Sequence, residues 1–438
     1  MRYLYTSLFT LLIPFYLLRL YWRGFKSPAY RERWGERFGL FEAPSKRGGI
    51  WVHAVSVGEV LAIARLVQQL LERYPDLPVL ITTATPTGAE RVNALFGDEV
   101  EHRYAPIDLP WVVRRFLRAY RPRLLILVET EIWPNLIFHA KQAGVPTLLA
   151  NARLSVRSAQ RYHRVAALTR EALRNITVIA PHGEADAERF LTLGARPGQV
   201  EVTGSIKFDV HLPGSLRERA DVMRRDWGGQ RPVWLAASTH EGEDELILQA
   251  HAAVRQQIDN ALLVLVPRHP ERFDRVAQLV QDAGFALVRR SEQHPCDGET
   301  AVFLGDSMGE LTLFMGASDL AFIGGSLVPH GGHNILEAAA QGVAVVFGPH
   351  MFNFSEICDL FISQGAAVQV DSVDVLSVQV VDWLSDASER SRIGEAGRAL
   401  VDKNRGALAR LMRLVERLLG ATESLSKAGP ITSDQRWG

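Results

Sequence analysis

Short apolar runs alternate with amphipathic, helix-period segments along most of this chain, and that alternation restricts it to an α/β architecture with buried parallel strands. A first series comprises Ile50–Val55, Val79–Thr83, Leu124–Val128, Thr147–Ala150 and Thr177–Ala180, with helical segments such as Gly58–Arg73 and Gly88–Leu95 between them. A second comprises Val233–Ala237, Ala261–Val266, Phe285–Val288, Ala301–Leu304, Leu320–Ile323, Val343–Phe347 and Ala367–Val370. Residues 205–230, charged and carrying Pro and Gly, separate the two. The expectation is two Rossmann-like doubly wound domains facing a cleft, with ligands at the carboxyl ends of the strands. The length of 438 residues agrees, because single cores stop growing well below it.

The 49 basic and 49 acidic side chains cancel, so no global field draws the chain to nucleic acid. Its two cysteines, Cys296 and Cys358, lie far apart without metal spacing, as expected of core residues in a reducing compartment. There is no GxxxxGK[ST], no Asp-x-Asp clamp and no HExxH, and the expectation is that no metal or cofactor is used.

The N-terminus is apolar from Tyr3 to Leu18 apart from Thr6, Ser7, Thr10 and Pro14, with aromatic residues near both ends. Residues 1–23 are expected to be a membrane anchor, long enough to span and able instead to lie in the interface. No small-x-small site follows, which disfavours a cleaved signal peptide. Arg23, Lys26, Arg31 and Arg33 then hold the downstream side in the cytoplasm. Residues 24–48, with KSPAYRERWGERFGLF, form a basic, aromatic collar suited to anionic headgroups or a solvated linker helix.

Several strand ends carry chemistry. In HAVSVGEV, Glu59 either completes a capping box with Ser56 or acts as a general base on a hydroxyl. In VETEIWPNL, Glu129 and Glu131 end an apolar strand, where burial is costly without a partner; Arg153 and Arg157 are candidates. Lys207, in TGSIKFD, is placed to neutralise a carboxylate or phosphate. Arg268 and His269 follow a strand of the second series and suit a phosphate leaving group, while Met308, Gly309 and Glu310 open the next helix.

Residues 323–353 form a strand, loop, helix, strand unit. Asn334 is expected to start a short helix over Ile335–Gln341, ending at Gly342. Its N-terminus suits a phosphate, ribose or carboxylate, with Asn334 and Glu337 both able to face the ligand.

Taken in order, YRERWGERFG, SVGE, TPTG, ETEIWPN, NARLS, TGSIKFD, STHEGE, VPRHPER, GDSMGEL and GGHNILEAAAQG resemble the 3-deoxy-D-manno-octulosonic acid (Kdo) transferases of lipopolysaccharide biosynthesis. The resemblance runs over nearly the whole chain. It implies a GT-B glycosyltransferase that moves Kdo from CMP-Kdo to a lipid A precursor (lipid IVA), inverting and without a metal. The enzyme would be held by a single anchor at the cytoplasmic face of the inner membrane and meet its lipid there. Residues 49–210 would form the acceptor domain, 211–420 the CMP-sugar donor domain and 421–438 a tail. Glu59 would be the general base, with Glu129 and Lys207 assisting the transition state. The CMP site would comprise Pro267, Arg268, Met308, Gly309, Glu310, Asn334, Ile335, Leu336 and Glu337. The competing expectations are another GT-B enzyme, such as a lipid-linked hexosamine transferase or a nucleotide-sugar epimerase, and a membrane-tethered nucleotide-binding protein without turnover.

Overall fold

The computed structural model describes residues 1–427. The chain forms two units, one of Met1–Asp209 together with the chain from Arg405, the other of Val210–Asn404.

The first unit is built on β1 (Ile50–His53), β2 (Val79–Thr83), β3 (Glu101–Tyr104), β4 (Leu124–Val128), β5 (Thr147–Ala152) and β6 (Val178–Pro181). Their order is β3-β2-β1-β4-β5-β6, all parallel, which is the doubly wound dinucleotide-fold order. Five strands coincide with apolar runs because helices bury both of their faces. The sixth, β3, has the sequence EHRY and was not foreseen. It lies at the sheet edge, half-buried, where a strand need not be apolar.

One face of this sheet packs beneath the helix Val57–Arg73 and beneath the last helix, Ala407–Lys427. Leu411, Val415 and Leu418 of that last helix join Val52, Ile126 and Leu148 in one core. Its N-terminus is held by Asp209, whose carboxylate accepts the N–H groups of Gly406 (2.5 Å) and Leu408 (2.6 Å). The expected donor domain of 211–420 therefore differs from the second unit in its last stretch. The apolar stripe of 407–419 completes the first sheet's cover, a pairing that continuity along the chain does not reveal. Of the tail expected at 421–438, residues up to Lys427 continue the helix, and the rest lies outside the described residues.

The second unit contains β7 (Val233–Thr239), β8 (Leu262–Pro267), β9 (Leu287–Arg289), β10 (Val302–Leu304), β11 (Leu320–Ile323), β12 (Ala344–Phe347) and β13 (Val368–Gln369), again all parallel, in the order β13-β12-β11-β7-β8-β10-β9. All seven runs expected there form strands.

The N-terminal residues form a helix, Arg2–Arg23, that contains Pro14. The collar after it is not open to solvent throughout. Glu36 accepts from Arg33 (2.8 and 2.9 Å), from Arg103 (3.2 Å) and from the Tyr104 N–H (3.0 Å). Arg37 is buried, lies over the Tyr104 ring and donates to the Ala84 carbonyl at 3.0 Å. Two of the charges expected to meet headgroups thus fasten the collar to the edge of the sheet.

Candidate active site

Where β1 runs out, Ser56 takes extended geometry and caps the helix Val57–Arg73, accepting the Glu59 N–H at 3.3 Å. The Glu59 carboxylate returns the contact, accepting from the Ser56 hydroxyl (2.8 Å) and the Val55 N–H (2.8 Å). The capping pattern and the placement of a carboxyl at the strand's carboxyl end are therefore one feature. Burial, with the charges of Glu131 and Glu129, pushes the Glu59 carboxyl up to about 8 against the pull of those two hydrogen bonds.

The loop after β4 brings the other two carboxylates near. Glu129 sits at φ 57°, a left-handed conformation that costs a non-glycine residue of order 1–3 kcal/mol. Its N–H still bonds to the Ala150 carbonyl at 3.0 Å. Glu131 is taken by the indole N–H of Trp133 at 2.5 Å, and burial together with Glu129 raises its pKa. Trp133 in turn stands edge-on to His53, with ring centroids 4.6 Å apart. His53 shares Thr82 Oγ1 with the Trp51 indole, and burial lowers it to about 3, so it is a neutral core ring. The next helix, Pro134–Gln142, begins with a tryptophan that cannot cap it. The buried Asp108 supplies the cap from elsewhere, accepting the N–H groups of Asn135 (3.0 Å) and Leu136 (2.7 Å). Asp108, His53 and Trp133 hold this loop and were missed by sequence reasoning; the Trp-Pro pair was the one visible sign of a cap supplied from a distance.

Lys207 lies in the 3-10 turn Ile206–Phe208, whose first N–H bonds to Asn151 Oδ1 at 3.2 Å. Its charge and that of Arg153 reach His182, next to the end of β6, where burial, opposed by Asp186 and aided by these cations, holds the imidazole down at about 4. A carboxyl cluster (Glu59, Glu129, Glu131) and a cationic one (Lys207, Arg153) thus both form at the carboxyl edge of one sheet.

In the second unit, β7 ends in a register shift at Ser238, which adopts φ 60°. The loop after β11 is pinned by Glu243, a buried carboxylate accepting the N–H groups of Gly325 (2.6 Å), Ser326 (3.0 Å) and Leu327 (3.0 Å). Gly324 passes so close to β7 that a Cβ there would lie 2.6 Å from the Ser238 carbonyl oxygen. Asn334 accepts the Leu336 N–H at 3.1 Å and donates to Glu337 Oε1 at 3.2 Å, while burial raises the Glu337 carboxyl. The helix expected over Ile335–Gln341 is a single turn, Leu336–Ala339, with Ile335 and Leu336 buried. Its dipole is correspondingly small, and the polar groups available there are the Asn334 and Glu337 side chains.

A cavity of about 130 Å³ joins these residues to Ser238, His333, Leu311 and Met315. Leu311 is the part of the 308–311 segment that lines it, together with Asn334 and Glu337 of the 334–337 segment. Gly309 turns the first at φ 82°, and Met308 is exposed. The Glu310 carboxylate is occupied, forked by Arg290 at 2.9 Å twice and bonded by the Ser307 hydroxyl at 2.6 Å. Pro267 closes β8, and Arg268 beyond it is exposed, its N–H bonded to the Thr239 carbonyl at 3.0 Å. Beside the cavity, His240 and His333 meet through their Nε2 atoms at 2.8 Å, with the His330 ring stacked on His240 at 4.2 Å. Burial, then the neighbouring imidazoles, lower His240 to about 4. Among the described residues no three acidic, histidine or cysteine side chains converge as metal ligands. A separate cavity of about 540 Å³ opens at the amino ends of β1, β2 and β3, away from all of these groups.

Two all-parallel doubly wound units, each with polar groups gathered at the carboxyl ends of its strands, define a protein of the GT-B fold class. A glycosyltransferase from Rickettsia africae has the same fold, with a TM-score of 0.51, 14% identity, and coverage of 86% of this chain and 99% of that one. Residues 32–210 match the family model described as 3-deoxy-D-manno-octulosonic-acid transferase, and residues 236–400 match that of glycosyl transferases group 1. A 3-deoxy-D-manno-octulosonic acid transferase of Haemophilus influenzae is 45% identical, covering 95% of this chain and 98% of the relative. This chain belongs to the 3-deoxy-D-manno-octulosonic acid transferase family. The C-terminal CMP-Kdo binding domain of WaaA from Acinetobacter baumannii is 34% identical over 43% of this chain and 98% of that one, with a TM-score of 0.41.

Proposed function

We propose that this enzyme transfers Kdo from CMP-Kdo to a hydroxyl of a lipid A precursor, lipid IVA, at the cytoplasmic face of the inner membrane, with inversion and without a metal. The observation that carries the mechanism is the Glu59 carboxyl, fixed by Ser56 and Val55 and raised to about 8. A base tuned near neutral pH takes the proton of the attacking hydroxyl as the new bond forms. One such base serves a direct displacement, in which the acceptor oxygen enters opposite the leaving CMP and the anomeric configuration inverts.

Glu129 and Lys207 stabilise the transition state, the carboxylate facing the cationic sugar ring and the ammonium facing the Kdo carboxylate. On the donor side, Arg268 meets the CMP phosphate. Asn334 and Glu337 hold the nucleoside at the 130 Å³ cavity, and Pro267, Met308, Gly309, Glu310, Ile335 and Leu336, which do not line that cavity, complete the CMP site around it. Glu310 contributes through its backbone, since Arg290 occupies its carboxylate. Exposed Arg268 supplies the counter-charge that a metal provides elsewhere. The apolar helix Arg2–Arg23 and the family's lipid chemistry support the membrane location.

Mass spectrometry of the product made from lipid IVA, CMP-Kdo and purified full-length enzyme tests this reading, together with competition by CMP and UDP. Kdo addition inhibited by CMP and not by UDP supports it. Transfer that requires a divalent cation, or inhibition by UDP alone, overturns it.

A further inference from the structure

The helix Arg2–Arg23 has two faces with different surroundings. Arg2, Tyr5, Thr6, Phe9, Ile13 and Tyr16 recur at helical spacing and lie against the first unit. The Tyr5 hydroxyl donates to Asp108 at 3.0 Å, Arg2 donates to Asn135 Oδ1 at 3.2 Å, and the Asn135 amide donates to Thr6 Oγ1 at 3.0 Å. Arg2 also lies over the Phe138 ring at 3.6 Å. Further along, Phe9, Ile13 and Tyr16 pack on the core around Trp51 and Phe116, and Arg37 donates to the Tyr16 hydroxyl at 3.2 Å. The docked face is thus bonded near both ends to the body of the domain. The opposite face, Leu4, Leu8, Leu11, Phe15, Leu18 and Trp22, is at least half exposed at every position.

Twenty-two residues make a helix of about 33 Å, sufficient to cross a hydrocarbon core of about 30 Å. Crossing in this docked state would carry Asp108, Asn135 and the helix Pro134–Gln142, with His139 and Lys141, into hydrocarbon, which does not accommodate them.

We propose, resting on the membrane-bound reading above, that this helix lies in the plane of the membrane. Its Leu/Phe face enters one leaflet, its inner face stays bound to the first unit, and the N-terminus remains on the same side as the two catalytic units. The surface it fits is a bilayer leaflet bearing anionic headgroups, because Arg19, Arg23 and Lys26 are exposed at its carboxyl end beside Trp22.

The test uses the full chain with Tyr3, 79% exposed, replaced by cysteine and with Cys296 and Cys358 replaced by serine. The chain should pellet with membranes, and Tyr3→Cys should react with a membrane-impermeant maleimide only after spheroplasts are lysed. Labelling in intact spheroplasts overturns the in-plane placement and leaves the membrane reading standing. Recovery of the wild-type chain in the soluble fraction overturns the membrane reading itself. Leu8→Glu/Leu11→Glu, on the outward face, should lower the membrane-bound fraction about tenfold while transfer in detergent is kept. Undiminished membrane binding by that variant overturns the assignment of the lipid-facing surface.

Discussion

Ser56 and Glu59 bind each other in both directions, the Glu59 N–H donating to Ser56 Oγ over 3.3 Å and the Ser56 hydroxyl donating to Glu59 Oε1 over 2.8 Å. The contact that starts the helix also aims the proposed base, so helix stability and proton transfer are coupled at one pair.

Replacing Glu59 by Gln keeps the side chain's size and removes its basicity. Turnover should fall by about 10²–10⁴-fold, with far-UV circular dichroism and CMP affinity unchanged. Near-normal transfer by this variant would move the role of base to another carboxyl, Glu129 being the next to test.

With its carboxyl at about 8, Glu59 is protonated through much of the neutral range, so kcat/KM should climb with pH and level off above about that value. Ser56→Ala removes a hydrogen bond that favours the carboxylate and should move this limb to higher pH. It should also cost about 1 kcal/mol as a lost N-cap. A pH–rate profile and a urea titration read the two effects; a limb that stays in place contradicts the coupling.

The same shift carries a stability consequence of fixed sign. Glu59 is raised from its ordinary 4.5, so the fold favours its protonated form. That contribution is complete below about pH 4.5 and is lost as pH rises through about 8. Glu59→Gln cannot ionise and should show a flatter stability profile across this window. Denaturant midpoints measured at intervals between the two values decide it.

Trp133→Phe keeps an aromatic ring beside His53 and deletes the N–H that bonds Glu131. Glu131 should then stay neutral to higher pH and relieve its charge on Glu59, whose pKa should fall. The rising limb of the rate profile should therefore move to lower pH, opposite to Ser56→Ala. Movement in the same direction as Ser56→Ala would contradict the arrangement.

Glu243→Ala leaves the N–H groups of Gly325, Ser326 and Leu327 without their shared acceptor. At about 1–3 kcal/mol for each unsatisfied group, the second unit should lose about 3 kcal/mol or more. CMP affinity should weaken with it, because Ser326 leads into the loop that carries Asn334. Denaturation followed by domain-specific fluorescence, alongside CMP titration, tests the claim.

Much of the fold was legible because parallel strands buried on both faces must be apolar throughout, as in Leu124–Val128 and Leu262–Pro267. β3 has no such signal because an edge strand tolerates EHRY, and the helix at Leu336 is a single turn although its apolar spacing continues past Ala339. Among the proposed site residues, Glu59 stood out by its position after a strand. Asp108 did not, because a carboxylate that caps a helix distant in sequence leaves no local pattern.

By itself, the sequence determined the strand runs, the carboxylates and cations at their ends, and the family, because these depend on local periodicity and on residue identity at motif positions. Tertiary structure alone decided that the last helix covers the first sheet and that Arg33 and Arg37 fasten the collar to β3, Arg33 through the His102 carbonyl and Arg37 over the Tyr104 ring. It also decided that Trp133 takes Glu131 and Arg290 takes Glu310, and that the N-terminal helix docks by one face. Each of these is a choice of partner across a large sequence separation, made by complementary surfaces and buried hydrogen-bonding groups that come together only when the chain folds.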